Sequence, residues 1–240
     1  NATLDGGGAG IFCYEADPLI SNSTIIQNSS NSVGGGLYCK ASSNPIFNNV
    51  IFDGNSASHG GGAYLRDNSI GEFYHCVFQN NSTNGSGGGI TLKNDADIIL
   101  DHVFFIDNSS DYYGGGLYCN NASPALNNVT ITLNESDYGG GIYCYVNSSP
   151  VLVNCILWND SPEEIYISGC SITVSYSDIQ GGWGGEGNIE SNPLFCNADS
   201  SDYTLAENSP CLGSGENGAD MGSFGIGCEQ AYFGSMYVST

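Results

Sequence analysis

The chain of 240 residues carries 25 Asp and Glu against 3 Lys and Arg, which gives a formal charge of −22. This charge excludes nucleic acids, anionic membranes and polyanionic glycans as partners, because binding them requires clustered cations. No apolar run reaches the roughly 18 residues that a membrane helix needs, so we expect no membrane span. Low Lys with abundant Asn, Ser, Gly and Thr indicates a secreted protein, extracellular or on the cell surface.

A glycine-rich stretch followed by a short apolar strand recurs along the chain. Full copies, in which three glycines precede an apolar–Tyr–Cys strand, begin at Gly34, Gly114 and Gly139, and looser copies begin at Gly6, Gly60 and Gly87. The successive starts are 28, 26, 27, 27 and 25 residues apart. Alternating apolar residues predict strands, and a repeat of this length predicts a solenoid with one coil per repeat.

The repeats and the segment after them resemble the secreted bacterial right-handed parallel β-helix repeat proteins. The closing segment carries the most specific features, which are Asn192–Cys196, Ser209–Cys211 and Asp220–Gly225. The resemblance implies an all-β, single-stranded right-handed parallel β-helix of about eight coils of roughly 25–28 residues. Repeats are expected in 1–180, the last coils and a C-terminal cap in 181–228, and an extra apolar tail in 229–240.

The two ends of the predicted helix favour self-association. The first coil, within residues 1–33, begins almost on its glycines, so we expect exposed strand edges that another chain can extend. The apolar residues of the tail are Tyr232, Phe233, Met236, Tyr237 and Val238. This tail either packs on its own last coil or adds a strand to the first coil of the next subunit.

Ten cysteines fall into different settings. Cys13, Cys39, Cys119 and Cys144 occupy one inward position of successive repeats, where free thiols behave as small apolar side chains. Four others lie outside this position, in loop-rich sequence: Cys170, Cys196, Cys211 and Cys228. We expect one or two disulfides among these four, and the sequence leaves the pairing open.

Two apolar rows are predicted on the outside of the helix. The aromatic row consists of Phe12, Tyr38, Tyr64, Tyr118 and Tyr143, and the second row of Ile51, Val77, Phe104 and Ile156. The rows either stabilise their sheets through neighbouring pairs or form a surface for a partner. That partner is a glycan stacked on the rings or another protein molecule.

Acidic residues recur near the turns between coils, at Asp107, Asp111, Glu135, Asp137, Asp160, Glu163 and Glu164. Stacking brings such carboxylates together, and their repulsion is relieved by a cation or by protonation. Calcium accepts irregular groups of oxygen ligands, so these residues are a candidate calcium site. A solvated acidic face is the alternative.

Acceptor sequences for N-linked glycosylation also recur in the repeats. The candidates are Asn28, Asn81, Asn108, Asn134 and Asn159. The alternative is a ladder of Asn side chains in the turns, where Asn tolerates left-handed backbone and bonds its own main chain.

No recognisable catalytic set is present, and we assign no catalytic residue. Arg66, the one arginine, occupies an outward turn position, and the paired-Asp pattern of pectin hydrolases is absent. The sequence therefore favours a non-catalytic extracellular structural protein that associates head to tail, as the subunit of a surface filament does. The alternative is a carbohydrate-binding or polysaccharide-cleaving module, and calcium is the one cofactor considered.

Overall fold

The computed structural model describes residues 2–3 and 8–230, with side chains from residue 8 onward. Strands of successive repeats pair in parallel and in register, so that each coil contributes to the same sheets. The result is a right-handed parallel β-helix of about eight coils, which confirms the predicted fold class.

Three sheets run along the helix. The first, called the glycine-side sheet because its strands follow the glycines, contains Ile11–Tyr14, Leu37–Lys40, Ala63–Arg66, Ile90–Lys93, Leu117–Asn120, Ile142–Tyr145 and Ile165–Ser168. The second, called the bent sheet, contains Leu19–Ile26, Ile46–Asp53, Gly71–Tyr74, Val77–Gln79, Ile98–Asp101, Phe104–Ile106, Ala125–Asn127, Thr130–Thr132, Val151–Val153, Ile156–Trp158, Thr173–Ser175 and Asp178–Ile179. The third is narrow and contains Ala2–Thr3, Ser29–Ser30, Ser56–Ala57, Ser82–Thr83 and Ser109–Ser110.

The core is a set of stacked rows, because strand alternation sends every second side chain inward. In the glycine-side sheet Leu37 and Cys39 are fully buried, and equivalent residues of the next coils lie directly above them. In the bent sheet the rings of Phe52 and Phe78 stack at 4.5 Å, and Phe78 stacks on Phe105 at 5.1 Å. Parallel pairing in register therefore places like residues on like.

The recurring glycines are required by backbone geometry. Gly114 has a φ of +64°, a conformation that other residues adopt at a cost. A Cβ on Gly115 would lie 2.6 Å from the main-chain nitrogen of Glu135 and from the carbonyl oxygen of Gly140. The first glycine makes the turn, and the second lets the backbones of neighbouring coils approach each other.

A buried ladder of asparagines runs beside these turns. Its rungs are Asn28, Asn55, Asn81, Asn108 and Asn134. The main-chain N–H and the Nδ2 of each of the first four rungs donate to the Oδ1 of the next at 2.9–3.1 Å. These bonds satisfy buried polar groups in the core. Left-handed asparagines, such as Asn80 and Asn121, form separate sets in the turns.

The disulfides match the prediction only in part. Cys196 pairs with Cys228, both from the expected set. Cys170 instead pairs with Cys144, because the turn after its strand brings the two Cα atoms within 6.2 Å. Cys211 is a buried free thiol that contacts Oδ2 of Asp178 at 3.2 Å. The expected row of buried free thiols is confirmed at Cys13, Cys39 and Cys119.

The C-terminal part covers one end and one side of the helix. Trp183 packs against the last turns of the core. Beyond it, Phe195–Asn197, Asp202–Ala206 and Ile226–Cys228 form a small sheet, with 3₁₀ turns at Ala198–Ser200 and Glu216–Gly218. This segment, called the lateral segment (195–228), lies on the outer face of the bent sheet, where Tyr203 and Phe224 each contact Phe104 at 5.1 Å. The closing segment therefore also covers a side of the helix.

No helix in the part of the chain that the structure describes is long and apolar enough to cross a membrane. The tail residues predicted to mediate self-association, from Tyr232 to Val238, lie outside the described residues.

Candidate ligand-binding surface

The outer face of the glycine-side sheet carries the predicted aromatic row. Phe12, Tyr38, Tyr64, Tyr118 and Tyr143 lie in register with Thr91 and Tyr166. All five point away from the core, as predicted, but the four tyrosines are only 4–6% exposed. Other side chains on the same face cover them, so this row alone is not an open surface.

Basic side chains contact the aromatic rings on the earlier coils of this face. Lys40 Nζ lies 5.5 Å from the ring centres of Phe12 and Tyr14. Lys93 Nζ lies 6.0 Å from the ring of Tyr64 and 5.7 Å from that of Tyr118. These lysine-to-ring distances are all typical of cation–π contacts. These lysines and Arg66, which is paired with Asp67 at 2.7 Å, are all the Lys and Arg residues of the chain.

The last coils of the same face present a cluster of tyrosines, called the tyrosine platform. It comprises Tyr112, Tyr113, Tyr118, Tyr138, Tyr143, Tyr145 and Tyr166. The ring centres of Tyr113 and Tyr143 are 4.6 Å apart, and Tyr143 stacks on Tyr166 at 5.1 Å. Tyr118 and Tyr143 form a buried floor, while the other five members are 36–54% exposed.

Local backbone positions the exposed tyrosines. Tyr113 and Tyr138 immediately precede Gly114 and Gly139, whose positive φ turns the chain across the edge of the sheet. The backbones of Tyr113 and Tyr138 form an isolated parallel β-bridge between neighbouring coils. Their rings therefore lie side by side, one coil apart. Burial raises the pKa of Tyr118 to about 12 and raises that of Tyr143 as well, and a phenolic hydroxyl both donates and accepts hydrogen bonds.

Five members of the platform were missed by the sequence analysis. The aromatic row was predicted from one strand position, whereas Tyr112, Tyr113 and Tyr138 come from the turn before the glycines. Tyr145 comes from a second outward position of its strand, and Tyr166 continues the aromatic row on an additional coil. The sequence signal for Tyr113 and Tyr138 was the residue type before each glycine run. That residue is Val33, His59 and Ser86 in earlier repeats and Tyr in the last two.

The predicted acidic residues do not form one site. Asp111, Glu135 and Asp137 line one shallow cleft beside the third sheet, Asp107 is exposed, and Asp160 is buried at the end of the asparagine ladder. Among the described residues no group of three or more His, Cys, Asp or Glu side chains is arranged to hold a metal ion. The calcium site stays a prediction for these residues, with Asp160 separate from the others.

The predicted glycosylation sites have different environments. Asn81, Asn108 and Asn134 are 0–1% exposed and belong to the ladder, so a sugar on them would require opening the core. Asn28 is a partly buried rung, and Asn159 is exposed. Glycosylation at Asn159 remains the prediction that fits the folded chain.

Comparison with known families identifies the fold. Residues 35–210 match the family described as the right-handed beta helix region, and this match spans more than half of the chain. The chain therefore belongs to that family. Comparison with curated proteins found no match, and comparison with solved structures found none. The family description names a fold without a ligand or reaction, so function rests on the surface described above.

Proposed function

We propose that this chain is an extracellular, non-catalytic β-helix module that binds a carbohydrate chain along the tyrosine platform. The observation that supports this proposal is the set of five exposed tyrosine rings arranged over a floor of two buried ones. Sugar rings present C–H faces that pack on the negative faces of aromatic rings, and tyrosine hydroxyls bond sugar hydroxyls. The disulfides and the lack of a membrane-spanning helix in the described part are consistent with this location.

Charge selects the class of carbohydrate. The chain has a formal charge of −22, and Asp111, Asp137 and Glu163 lie near the platform in sequence and in the adjacent turns. Lys40 and Arg66 contact rings of earlier coils or Asp67, and Lys93 is engaged with the rings of Tyr64 and of the buried floor residue Tyr118. A neutral or amine-bearing glycan therefore fits the surface, whereas uronate or sulfated chains are repelled.

Binding to glycans in solution tests this proposal. Affinity electrophoresis and calorimetry would compare neutral glucans, chitosan and polygalacturonate with the full chain. We expect binding to the first two classes and none to polygalacturonate. Tyr113→Ala and Tyr138→Ala should each weaken binding about 2- to 10-fold, since one aromatic contact contributes roughly 0.5–1.5 kcal/mol.

Tyr14→Ala is the matched control, because Tyr14 lies on the same sheet, is 53% exposed and contacts Lys40 outside the platform. Equal losses from Tyr14→Ala and Tyr113→Ala would contradict a localised site. Failure of every neutral and cationic glycan to bind would refute the proposal.

Head-to-tail association is a second candidate, supported by the first described coil. Phe12, Leu19 and Ile26 are 49%, 71% and 49% exposed there, and within the described residues their strands pair on one side only. Such an edge accepts a further strand. Light scattering and electron microscopy of the full chain and of a form lacking 229–240 test this. Filaments that disappear with the deletion support strand donation by the tail, and monomers in both forms refute it.

A further inference from the structure

The asparagine ladder ends on a carboxylate. Asn134 donates its main-chain N–H and its Nδ2 to Oδ1 of Asp160 at 2.7 and 2.8 Å, as each rung does to the next. In place of a further rung, Oε1 of Glu164 accepts the main-chain N–H of Asp160 at 3.2 Å. Asp160 therefore occupies a rung position, with Glu164 as its neighbour.

This rung lacks the donor that the ladder geometry requires. At earlier rungs the Nδ2 of Asn81 and Asn108 donates both to the next side chain and to a main-chain carbonyl. Asp160 has Oδ2 at this point, and an ionised carboxylate only accepts. Oδ2 of Asp160 and Oε2 of Glu164 are buried and have no hydrogen-bond partner.

Both side chains are more than nine-tenths buried, Asp160 being 8% and Glu164 6% exposed. Two adjacent buried carboxylates without a counter-charge cost several kcal/mol. The chain offers none nearby, because Lys40, Arg66 and Lys93 lie on earlier coils of the glycine-side sheet. Burial raises the pKa of both groups, and the charge of Asp160 raises the pKa of Glu164 further.

A cleft next to the pair supplies more oxygen atoms and access to water. Its lining includes Asp160, Glu164, Glu163 and Gln180. Oε1 of Glu163 accepts the N–H of Gly139 at 2.7 Å, and Oε1 of Gln180 accepts the N–H of Asn159 at 2.6 Å, which anchors both side chains. The cleft therefore brings further oxygen-bearing side chains beside the pair.

We propose that Asp160 and Glu164 bind one divalent cation of the calcium type, which takes the place of the missing donor and ends the asparagine ladder. All available ligands are oxygens in an irregular arrangement, which suits calcium better than magnesium, and there is no Cys or His ligand for zinc. With two buried carboxylates and few other charges, the affinity falls in the range of extracellular calcium modules, about 10⁻⁴–10⁻³ M.

Calcium titration of the chelator-treated full chain tests the site. Calorimetry should show one site per chain in that range, and 10 mM calcium should raise the unfolding midpoint by about 2–5 °C. Asp160→Asn should reduce calcium affinity at least tenfold. Because an amide restores the donor, this variant should unfold at a higher temperature than the original chain in chelator.

Asp199→Asn is the charge-matched control, since Asp199 is exposed in the lateral segment (195–228) and belongs to no candidate calcium site. Retained binding in Asp199→Asn with loss in Asp160→Asn supports the site, and the reverse pattern overturns it. Glu164→Gln provides a second variant if Asp160→Asn folds poorly, and it too should lose calcium binding. Absence of any calcium effect, with an infrared band of a protonated carboxyl at pH 7 that Glu164→Gln removes, would show a shared proton and overturn the proposal.

Discussion

Two outer faces of this helix look alike in sequence but are used differently by the fold. On the bent sheet, Phe104 and Ile156 are 6% and 1% exposed because the lateral segment (195–228) packs on them. On the glycine-side sheet no other segment of the described chain covers the last coils, and the tyrosine platform remains 36–54% exposed at five positions. The comparison shows that an outer face of the helix becomes either an internal interface or an exposed surface, depending on whether a distant part of the chain packs on it.

The largest expected difference between the faces is in stability. Phe104→Ala removes a ring that contacts Tyr203 and Phe224, so the free energy of unfolding should fall by about 3 kcal/mol. Tyr166→Ala, on the open face, should cost less than about 1 kcal/mol and should weaken glycan binding instead. Urea unfolding of both variants checks this, and equal costs would show that the two faces are equally buried.

Substitutions at two equivalent turn glycines distinguish an effect on the free energy of unfolding from an effect on glycan affinity. Gly139 has a φ of +63°, and a Cβ there would lie 2.5 Å from the carbonyl oxygen of Ile142. Gly139→Ala should therefore cost about 2–3 kcal/mol and also displace Tyr138. Gly60→Ala, at the equivalent turn with the same φ, should cost a similar amount without changing glycan affinity. An unaltered affinity in Gly139→Ala would contradict the role of this turn in holding the platform.

The two faces should also differ in their response to pH. Asp178 contacts Cys211 of the lateral segment, and burial, with a further contribution from Glu190, raises its pKa to about 6. A carboxyl whose folded pKa lies above the usual value of about 4 stabilises the fold fully below pH 4 and loses that contribution as pH rises through 6. The loss is up to about 2 kcal/mol between these limits.

Unfolding measured from pH 4 to 7 should therefore show a decline that is smaller in Asp178→Asn. Glycan binding should stay constant over the same range, because burial raises the pKa of the floor residue Tyr118 to about 12 and raises that of Tyr143 in the same direction. A pH dependence of stability that is unchanged in Asp178→Asn would assign the decline to other carboxyls.

The smallest effect concerns the boundary between the lysine-bearing coils of the glycine-side sheet and the tyrosine platform. Lys93→Met removes the charge over Tyr64 and Tyr118. Stability should fall by about 0.5 kcal/mol, the usual value of an exposed cation–π contact, and glycan affinity should rise up to about 3-fold as Tyr118 becomes accessible. Lys40→Met, farther from the platform, should cost the same without a gain in affinity, and an equal gain would show that the platform extends to the first coils.

The repeats made most of the fold predictable. Positions such as Leu37 and Cys39 follow from strand alternation, and the steps between Gly34 and Gly139 give the coils. The tyrosine platform was predicted only in part: the outward row included Tyr118 and Tyr143, whereas Tyr113 and Tyr138 were not singled out. Their contribution depends on a turn that carries the chain over a sheet edge, and a strand pattern does not describe such a turn.

Some partners were not predictable because they join residues far apart in the chain. The pairing of Cys144 with Cys170 requires the path of the turn between them, and the contact of Cys211 with Asp178 requires the lateral segment to return along the helix. Likewise, Asp160 resembles any surface acid in the sequence. Only its register with Asn134 shows that it ends the ladder.

The sequence by itself determined the local rules of this protein: strands that alternate inward and outward, glycines where the backbone needs left-handed geometry, and like residues stacked on like by a constant repeat. The tertiary structure alone decided which outer face is covered by the lateral segment and which face carries exposed tyrosines. The physical reason is that alternation is a property of one strand, whereas the exposure of a side chain depends on every segment that packs against it.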